Sequence, residues 1–506
     1  MKVRLLHPEH DATFEPRLPP AMMMMVEEDL ELRTLYTAMA AGDEFLRDVA
    51  AKVVPATLRD PAVIAYRQHV LADCMANPDP VRQMYAIAAD AAEVRRKVFL
   101  GGMLFRDPQA ILRRSVRILE LLVANLKQLR AVCNRHGGDF DSAGFRQFLA
   151  MIAEQLSDDY LAHLDDELAE LHLPRGVLLS ARLGLGNKGR RHVLHRAAKR
   201  SWWDRLTGNS HNGFGFSIDE RDQAGAEALT ELGGRAINDV ANTVTQSADH
   251  VQGFFIRLRI ELAFYLACLN LHTRLTESDV TTCFPTPTPI GAHRLSCHGL
   301  RDVALCLTTA RPVIGNDVSA DNRSLIVVTG ANEGGKSTFL RSVGAAQMMM
   351  QAGMFVTAQS FLADVGNGIF THIKREEDAT LTQGKLDEEL TRMSKIVDYI
   401  GPNSLVLCNE SFASTNEREG SQIARAAIDA FTDAAIKVVF VTHLYDFAHS
   451  LHARHNPGHL FLRAERRDDG TRTFRLIEAE PQPTSHGEDS FRRVFGNAVP
   501  AHTGAS

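Results

Sequence analysis

A chain of 506 residues is too long for a single compact core and predicts about three domains. Its 45% hydrophobic and 23% charged content is that of an ordinary globular protein, and a net charge of -6 excludes a globally basic nucleic-acid binder, so any such role must rest on a local basic surface. The seven cysteines form no Cys-x-x-Cys pair, which argues against a zinc site or disulfide framework and predicts a reducing, cytoplasmic setting.

Met1 to His10 is interrupted by charge and by Pro8, so no signal peptide is predicted. No stretch nears the roughly 18 to 20 apolar residues that span a bilayer, so no membrane partner is expected. Residues 1–25 read as an irregular leader, with Pro19-Pro20 ahead of the apolar run Met22 to Met25. Residues 26–173 read as a helical core: Leu30, Leu32, Leu35, Tyr36 and Met39 recur at helical spacing, as do Leu112, Val116, Leu119, Leu122 and Leu126. Residues 174–220 break that regime. Gly176 to Leu183 has strand character, a turn follows at Gly184, Gly186, Asn187 and Gly189, and Phe214 to Ile218 suits a second short strand. Helical periodicity returns over residues 221–284 as one or two long rods, about 80 Å in total at about 1.5 Å per residue. Prolines at 285, 287 and 289 stop any helix, so residues 285–324 read as a linker and lead-in. Over 325–490 strands and helices alternate. Leu325 to Thr329, Ser404 to Cys408 and Lys437 to Thr442 are apolar strands, which predicts a parallel sheet covered by helices. Residues 491–506 read as a tail. The expected fold class is mixed, an α-helical core and lever followed by an α/β domain.

The strongest motif is Gly330-Ala331-Asn332-Glu333-Gly334-Gly335-Lys336-Ser337-Thr338, between a predicted strand and a predicted helix. It matches the P-loop pattern. Glycines let backbone N–H groups converge on phosphate oxygens at a helix N-terminus, Lys336 reaches the terminal phosphates, and Ser337 ligates Mg²⁺. ATP with Mg²⁺ is the expected ligand. A second element is the strand ending Cys408-Asn409-Glu410, where the metal-side group and the water-orienting carboxylate stand in such enzymes. Asn409 accepts hydrogen bonds from metal-bound water without supplying charge, and Glu410 is left to orient the attacking water. A third strand ends in Thr442-His443, where a histidine senses phosphate or water; a purely structural histidine is the competing reading.

Together these motifs resemble those of the MutS family of DNA mismatch-repair ATPases. Thr329 to Thr338 is similar to that family's Thr-Gly-Pro-Asn-Met-Gly-Gly-Lys-Ser-Thr. Gly353 to Ala358 resembles its Gly-x-x-Val-Pro-Ala, and Ile369-Phe370-Thr371 its Ile-Phe-Thr. Asn409 to Thr415, with Glu419-Gly420, aligns without gaps to Asp-Glu-x-Gly-x-Gly-Thr and Asp-Gly, and Thr442-His443 matches its Thr-His. More loosely, Ile64 to Leu71 resembles the start of the family's helical core, and Phe254 to Leu275 its long lever helix. The resemblance implies an ABC-type ATPase domain, ATP and Mg²⁺, action on double-stranded or branched DNA, and a homodimer. It departs in three places. Asn409 replaces the usual acid. Gly384 to Leu390 stands where the family has Ser-Thr-Phe-x-x-Glu-Met, with Glu389 replacing the glutamate and no matching serine. No Phe-x-Glu wedge or room for mismatch-reading domains is present, so mismatch recognition is not expected.

Where that family inserts a clamp, Arg182, Lys188, Arg190, Arg191, Arg196, Lys199, Arg200 and Arg205 crowd together, with Asp204 as the only acid among them. Trp202 and Trp203, the only tryptophans, share the stretch with His192 and His195. Cations neutralise phosphates and an exposed tryptophan stacks on a base, which makes Lys188, Arg190, Arg191, Arg196, Lys199, Arg200, Trp202 and Trp203 the candidate nucleic-acid contacts. A solvated basic loop with two packed tryptophans is the competing reading, and docking on a protein another. Three functions stay open: a DNA-associated ATPase with Lys336, Glu410 and His443 as its catalytic groups, a nucleotide-gated dimeric scaffold with little turnover, and an ATPase acting on RNA or ribosomes. A membrane transporter ATPase is disfavoured by the lack of a spanning segment.

Overall fold

The computed structural model describes residues 1–11, 14, 18–99, 108–174, 176–183, 189–195, 219, 221–374, 384–467 and 471–482. The chain divides into two compact units. One consists of Met1–Leu5, Asn77–Asp141 and Phe145–Leu262; the other of Leu6–Ala76, Ser142–Gly144 and Ala263–Ser506. Among the described residues no helix is long and apolar enough to cross a membrane.

The first unit is almost wholly helical. The helix Pro108–His136 buries Leu112, Val116, Leu119, Val123 and Leu126 at three- and four-residue spacing, which places them on one face. The helix Gln223–Glu277 is continuous over 55 residues. Its portion up to Leu262 belongs to this unit and buries Ile237, Ala241, Val244 and Ala248 at the same spacing. Ser115 Oγ and Thr245 Oγ1 meet at 2.7 Å, and Gln252 Nε2 donates to the Ala92 carbonyl at 3.0 Å. Between these helices β1 (Leu178–Leu183) and β2 (Gly189–His195) form an antiparallel pair. The second expected strand of the insertion, Phe214 to Ile218, lies outside the described residues.

The second unit is built on two sheets. The larger has the order β12-β11-β6-β10-β9-β8. Its members are β6 (Leu325–Thr329), β8 (Ile369–Ile373), β9 (Leu405–Asn409), β10 (Lys437–Val441), β11 (His459–Arg466) and β12 (Arg472–Glu478). All neighbours are parallel except β12, which closes the edge antiparallel to β11. β6 lies inside the sheet and is buried at all five positions, as a continuous apolar run in a doubly covered parallel sheet must be. The smaller sheet joins β3 (Thr286–Thr288), β7 (Ser360–Asp364), β4 (Leu295–Leu300) and β5 (Asn316–Ser319) in that order. The proline-rich stretch expected as a linker therefore supplies a short strand. Pro287 is tolerated because β3 is an edge strand with one unpaired side.

The helix Lys336–Gln351 follows β6 and is buried over most of its length. A Cβ added at Gly344 would stand 2.4 Å from Leu407 Cδ1 of β9 and 2.7 Å from Leu30 Cδ2. The helix is thus pressed between the sheet and the segment Leu6–Ala76, which packs in this unit. Arg341 Nε pairs with Asp302 at 3.1 Å and its guanidinium also reaches Glu31. Arg67 donates to the carbonyls of Leu6 and Ala352 at 3.1 and 2.9 Å. These charge-assisted bonds, buried at Arg67 and part-buried at Arg341, tie the N-terminal helices to the sheet's covering layer.

Candidate nucleotide site

Parallel register brings the sequence motifs to one edge of the larger sheet. Val441 pairs with both Val328 and Asn409. The chain therefore leaves β6 into Gly330, β9 into Glu410 and β10 into Thr442-His443 side by side, at the carboxyl ends of the strands where open α/β sheets bind ligands.

The loop Gly330–Gly335 is shaped by backbone that side chains would obstruct. Gly330 (φ 112°) and Gly335 (φ 89°) are in the left-handed half of conformational space, and a Cβ at Gly334 would lie 2.7 Å from Ala464 Cβ of β11. Glu333 is also left-handed, at φ 58°, and its carboxylate pairs with Arg472 of β12. Asn332 and Glu333 are exposed at the tip, whereas Ala331 and Gly334 are buried. Lys336 opens the helix, is 5% exposed, and its ammonium donates to the carbonyls of Gly330 and Ala331, each at 2.8 Å. Burial pushes its pKa down to about 8, against the opposing pull of Glu410 and with Arg472 adding to the depression. Ser337 follows and donates from Oγ to Asn409 Oδ1 at 3.1 Å. Thr338, the last residue of the motif, is half-buried in the first turn of the same helix.

At the end of β9 the chain turns sharply. Glu410 has φ 54° and Phe412 φ 63°, while Glu410 N remains bonded to the Val441 carbonyl at 2.8 Å. Left-handed non-glycine residues each cost about 1–3 kcal/mol and cluster at functional sites. The Glu410 carboxylate stands 3.0 Å from His443 Nε2. His443, with Lys336 and Lys374 assisting, holds the Glu410 carboxyl below its usual range against the opposing effect of burial. Glu417 accepts from the N–H groups of Tyr445 and Asp446 at the start of the helix after His443. Gly330, Thr442, His443 and Glu417 line a cleft of about 210 Å³. A cavity of about 180 Å³ lies at the opposite, amino-terminal ends of β6, β9 and β10, lined by Ser324, Leu405 and Lys437. None of Lys336, Ser337, Asn409, Glu410 and His443 lines it.

The donor set suits a hard cation held together with phosphate oxygens: a hydroxyl at Ser337, an amide oxygen at Asn409 and a carboxylate at Glu410. Only the last carries charge, and the described residues contain no cluster of three or more His, Cys, Asp or Glu suited to hold a metal alone. Of the expected nucleic-acid contacts, Arg190 and Arg191 are on β2, and Lys188, Arg196, Lys199, Arg200, Trp202 and Trp203 lie outside the described residues. The motif reading did not single out Arg472, Ala464 or Phe474, whose backbone abuts Gly335. All three come from the β11–β12 hairpin, which carries no local signature, and only the alternation of apolar residues in Leu460, Leu462 and Ala464 marks it as a strand.

Two family models match adjoining parts of the chain and together span most of it: the MutS2 N-terminal domain over residues 59–278 and MutS domain V over residues 326–493. Among curated proteins, the chain is similar to a protein named DNA mismatch repair protein MutS from Chloroflexus aurantiacus, 32% identical over 28% of this chain and 15% of that protein. Proteins of the same name from Lactobacillus helveticus and Thermotoga petrophila are 29% and 36% identical, over 41% and 26% of this chain and 26% and 16% of theirs. The chain thus spans about a quarter or less of the length of these relatives. With the helical match preceding the match over the nucleotide-site sheet, the chain belongs to the MutS family.

Proposed function

We propose that this chain is an ATPase of P-loop type that acts as a homodimer on double-stranded or branched DNA, coupling the nucleotide state to movement of its long helix. The carrying observation is the convergence of Lys336, Ser337, Asn409, Glu410 and His443 at one sheet edge. In this reading the glycines of the loop leave its N–H groups free for phosphate oxygens, and Lys336 exchanges its two carbonyl partners for the terminal phosphates. Ser337 and Asn409 hold Mg²⁺, which when bound neutralises charge on the transferring phosphoryl group. Glu410, kept ionised, orients the attacking water and accepts its proton, and His443 steadies the carboxylate. The names of the matched relatives support DNA as the polymer. The basic segment around Arg190 and Arg191 is the proposed contact.

The test is ATP turnover and ATP binding measured side by side for wild type and Glu410→Gln. The variant is expected to bind and not to hydrolyse; equal turnover in both rejects the assignment. A second reading, a nucleotide-gated scaffold with little hydrolysis, is favoured by Asn409, which leaves the metal side of the site without the usual charge. Tight ATP binding with negligible wild-type turnover selects it. Competition among duplex DNA, branched DNA and structured RNA at one stated salt concentration identifies the polymer, since the phosphate contribution is common to all three.

A further inference from the structure

Behind the turn that carries Glu410 lies a buried polar cluster with no part in the nucleotide site described above. Glu389, on the helix Lys385–Val397, is 6% exposed. Its Oε1 accepts from Ser414 Oγ at 2.8 Å, and its Oε2 is buried with no hydrogen-bond partner among the described residues. His372, on β8, is 1% exposed. Its Nε2 lies 2.9 Å from the backbone carbonyl of Glu389 and its Nδ1 2.6 Å from Ser411 Oγ. A carbonyl oxygen only accepts, so Nε2 carries the proton, while the single Ser411 hydroxyl proton is shared between Nδ1 and the His372 carbonyl, which lies 2.9 Å from Oγ. Burial pushes the imidazole down to about 4, in keeping with that neutral tautomer at physiological pH. The ring also stacks on Phe412, with centroids 5.5 Å apart.

Ser411, Phe412 and Ser414, all within four residues of Glu410, are therefore each gripped by β8 or by the helix Lys385–Val397. The turn they belong to contains the two left-handed residues Glu410 and Phe412. Such strain persists only where surrounding contacts over-determine it. Packing alone does not account for a carboxylate at position 389. A buried acceptor left unpaired is destabilising, which a leucine of similar size would avoid. What this side chain adds is an acceptor that holds the Ser414 hydroxyl at 2.8 Å, which an apolar residue cannot supply.

The geometry points to Glu389 and His372 as positioning residues that hold the turn from Glu410 to Thr415, so that the helix Lys385–Val397 controls the placement of the Glu410 carboxylate. This rests on the hydrolytic reading of the site. A ligand or subunit that displaces this helix then alters turnover without touching the phosphate loop.

The experiment compares wild type, Glu389→Ala, Ser414→Ala and Glu389→Gln by kcat, by the Kd of a non-hydrolysable ATP analogue, and by amide hydrogen exchange of residues 410–416. Loss of the Ser414 bond is expected to lower kcat about tenfold while Kd changes less than about twofold, because one bond of about 1.4 kcal/mol is removed from the turn and none from the loop. Exchange in 410–416 accelerates in both alanine variants. Glu389→Gln, whose amide oxygen still accepts from Ser414, retains most of kcat. Unchanged kcat and exchange in Ser414→Ala, with the wild type active, overturn the proposal. So do equal losses of kcat and affinity with no rescue by glutamine. A wild type that binds but does not hydrolyse ATP rejects the hydrolytic reading instead; unchanged exchange in Glu389→Ala then overturns the positioning role independently.

Discussion

Replacing Gly420 by alanine pits two opposite effects against each other. Gly420 lies in the second turn of the helix Glu417–Asp433, with its N–H bonded to the Asn416 carbonyl at 2.9 Å. In an unobstructed helix, alanine would add about 1 kcal/mol of stability over glycine. Here the added Cβ would stand 2.4 Å from the Phe412 carbonyl oxygen. That oxygen is backbone and cannot rotate away. Phe412 is 1% exposed, and the same turn is tied by Glu410 N to Val441 O and by Ser411 to His372. Overpacking costs about 1–3 kcal/mol, and a contact with anchored backbone belongs near the upper end. The net expectation is a loss of about 2 kcal/mol, read as a lower urea midpoint at unchanged m. The turn must yield, so Glu410 shifts and kcat falls by more than tenfold, about 1.4 kcal/mol or more in barrier. A Gly420→Ala protein at least as stable as wild type, with normal turnover, would refute the close approach, because intrinsic propensity alone predicts that sign.

Other consequences follow from the charges. Lys336, depressed to about 8 in the free protein, gains an anionic partner when a triphosphate binds, so its pKa rises; binding at or above pH 8 takes up a proton, measurable by calorimetry in buffers of different ionisation enthalpy, and a lack of buffer dependence contradicts the assignment. Asn409→Asp puts a carboxylate beside Ser337 and is expected to lower the Mg²⁺ concentration needed for half-maximal nucleotide binding; an unchanged Mg²⁺ titration places the metal elsewhere. His372 is buried neutral at about 4 against 6.5 for a free imidazole, so its contribution to stability is complete above about pH 6.5 and is lost as pH falls toward 4. That loss is roughly 3 kcal/mol and should disappear in His372→Asn, as followed by urea midpoints between pH 7 and 4.

What the sequence determined by itself was local. Gly330 to Thr338 specifies its own backbone path, because glycine at 330 and 335 permits left-handed turns and a helix begins at Lys336. The apolar runs Leu325 to Thr329 and Lys437 to Thr442 are legible as buried strands, since their composition suits only a doubly covered sheet. Helical spacing likewise revealed the buried face of Pro108–His136. The tertiary structure alone decided which distant segments meet. Residues 26–76, helical by their own pattern, pack in one unit with the sheet through Arg67, Leu30 and Glu31, and periodicity says which face is apolar but not what covers it. Thr286 to Thr288 is a strand only because Ser360–Asp364 offers it an edge. Glu389, noted in the sequence as replacing the family glutamate, acquires a role only where the fold sets its carboxylate against Ser414. The reason is common to all three: dihedral preferences are properties of neighbours in the chain, whereas packing depends on complementary surfaces that come together only in the folded state.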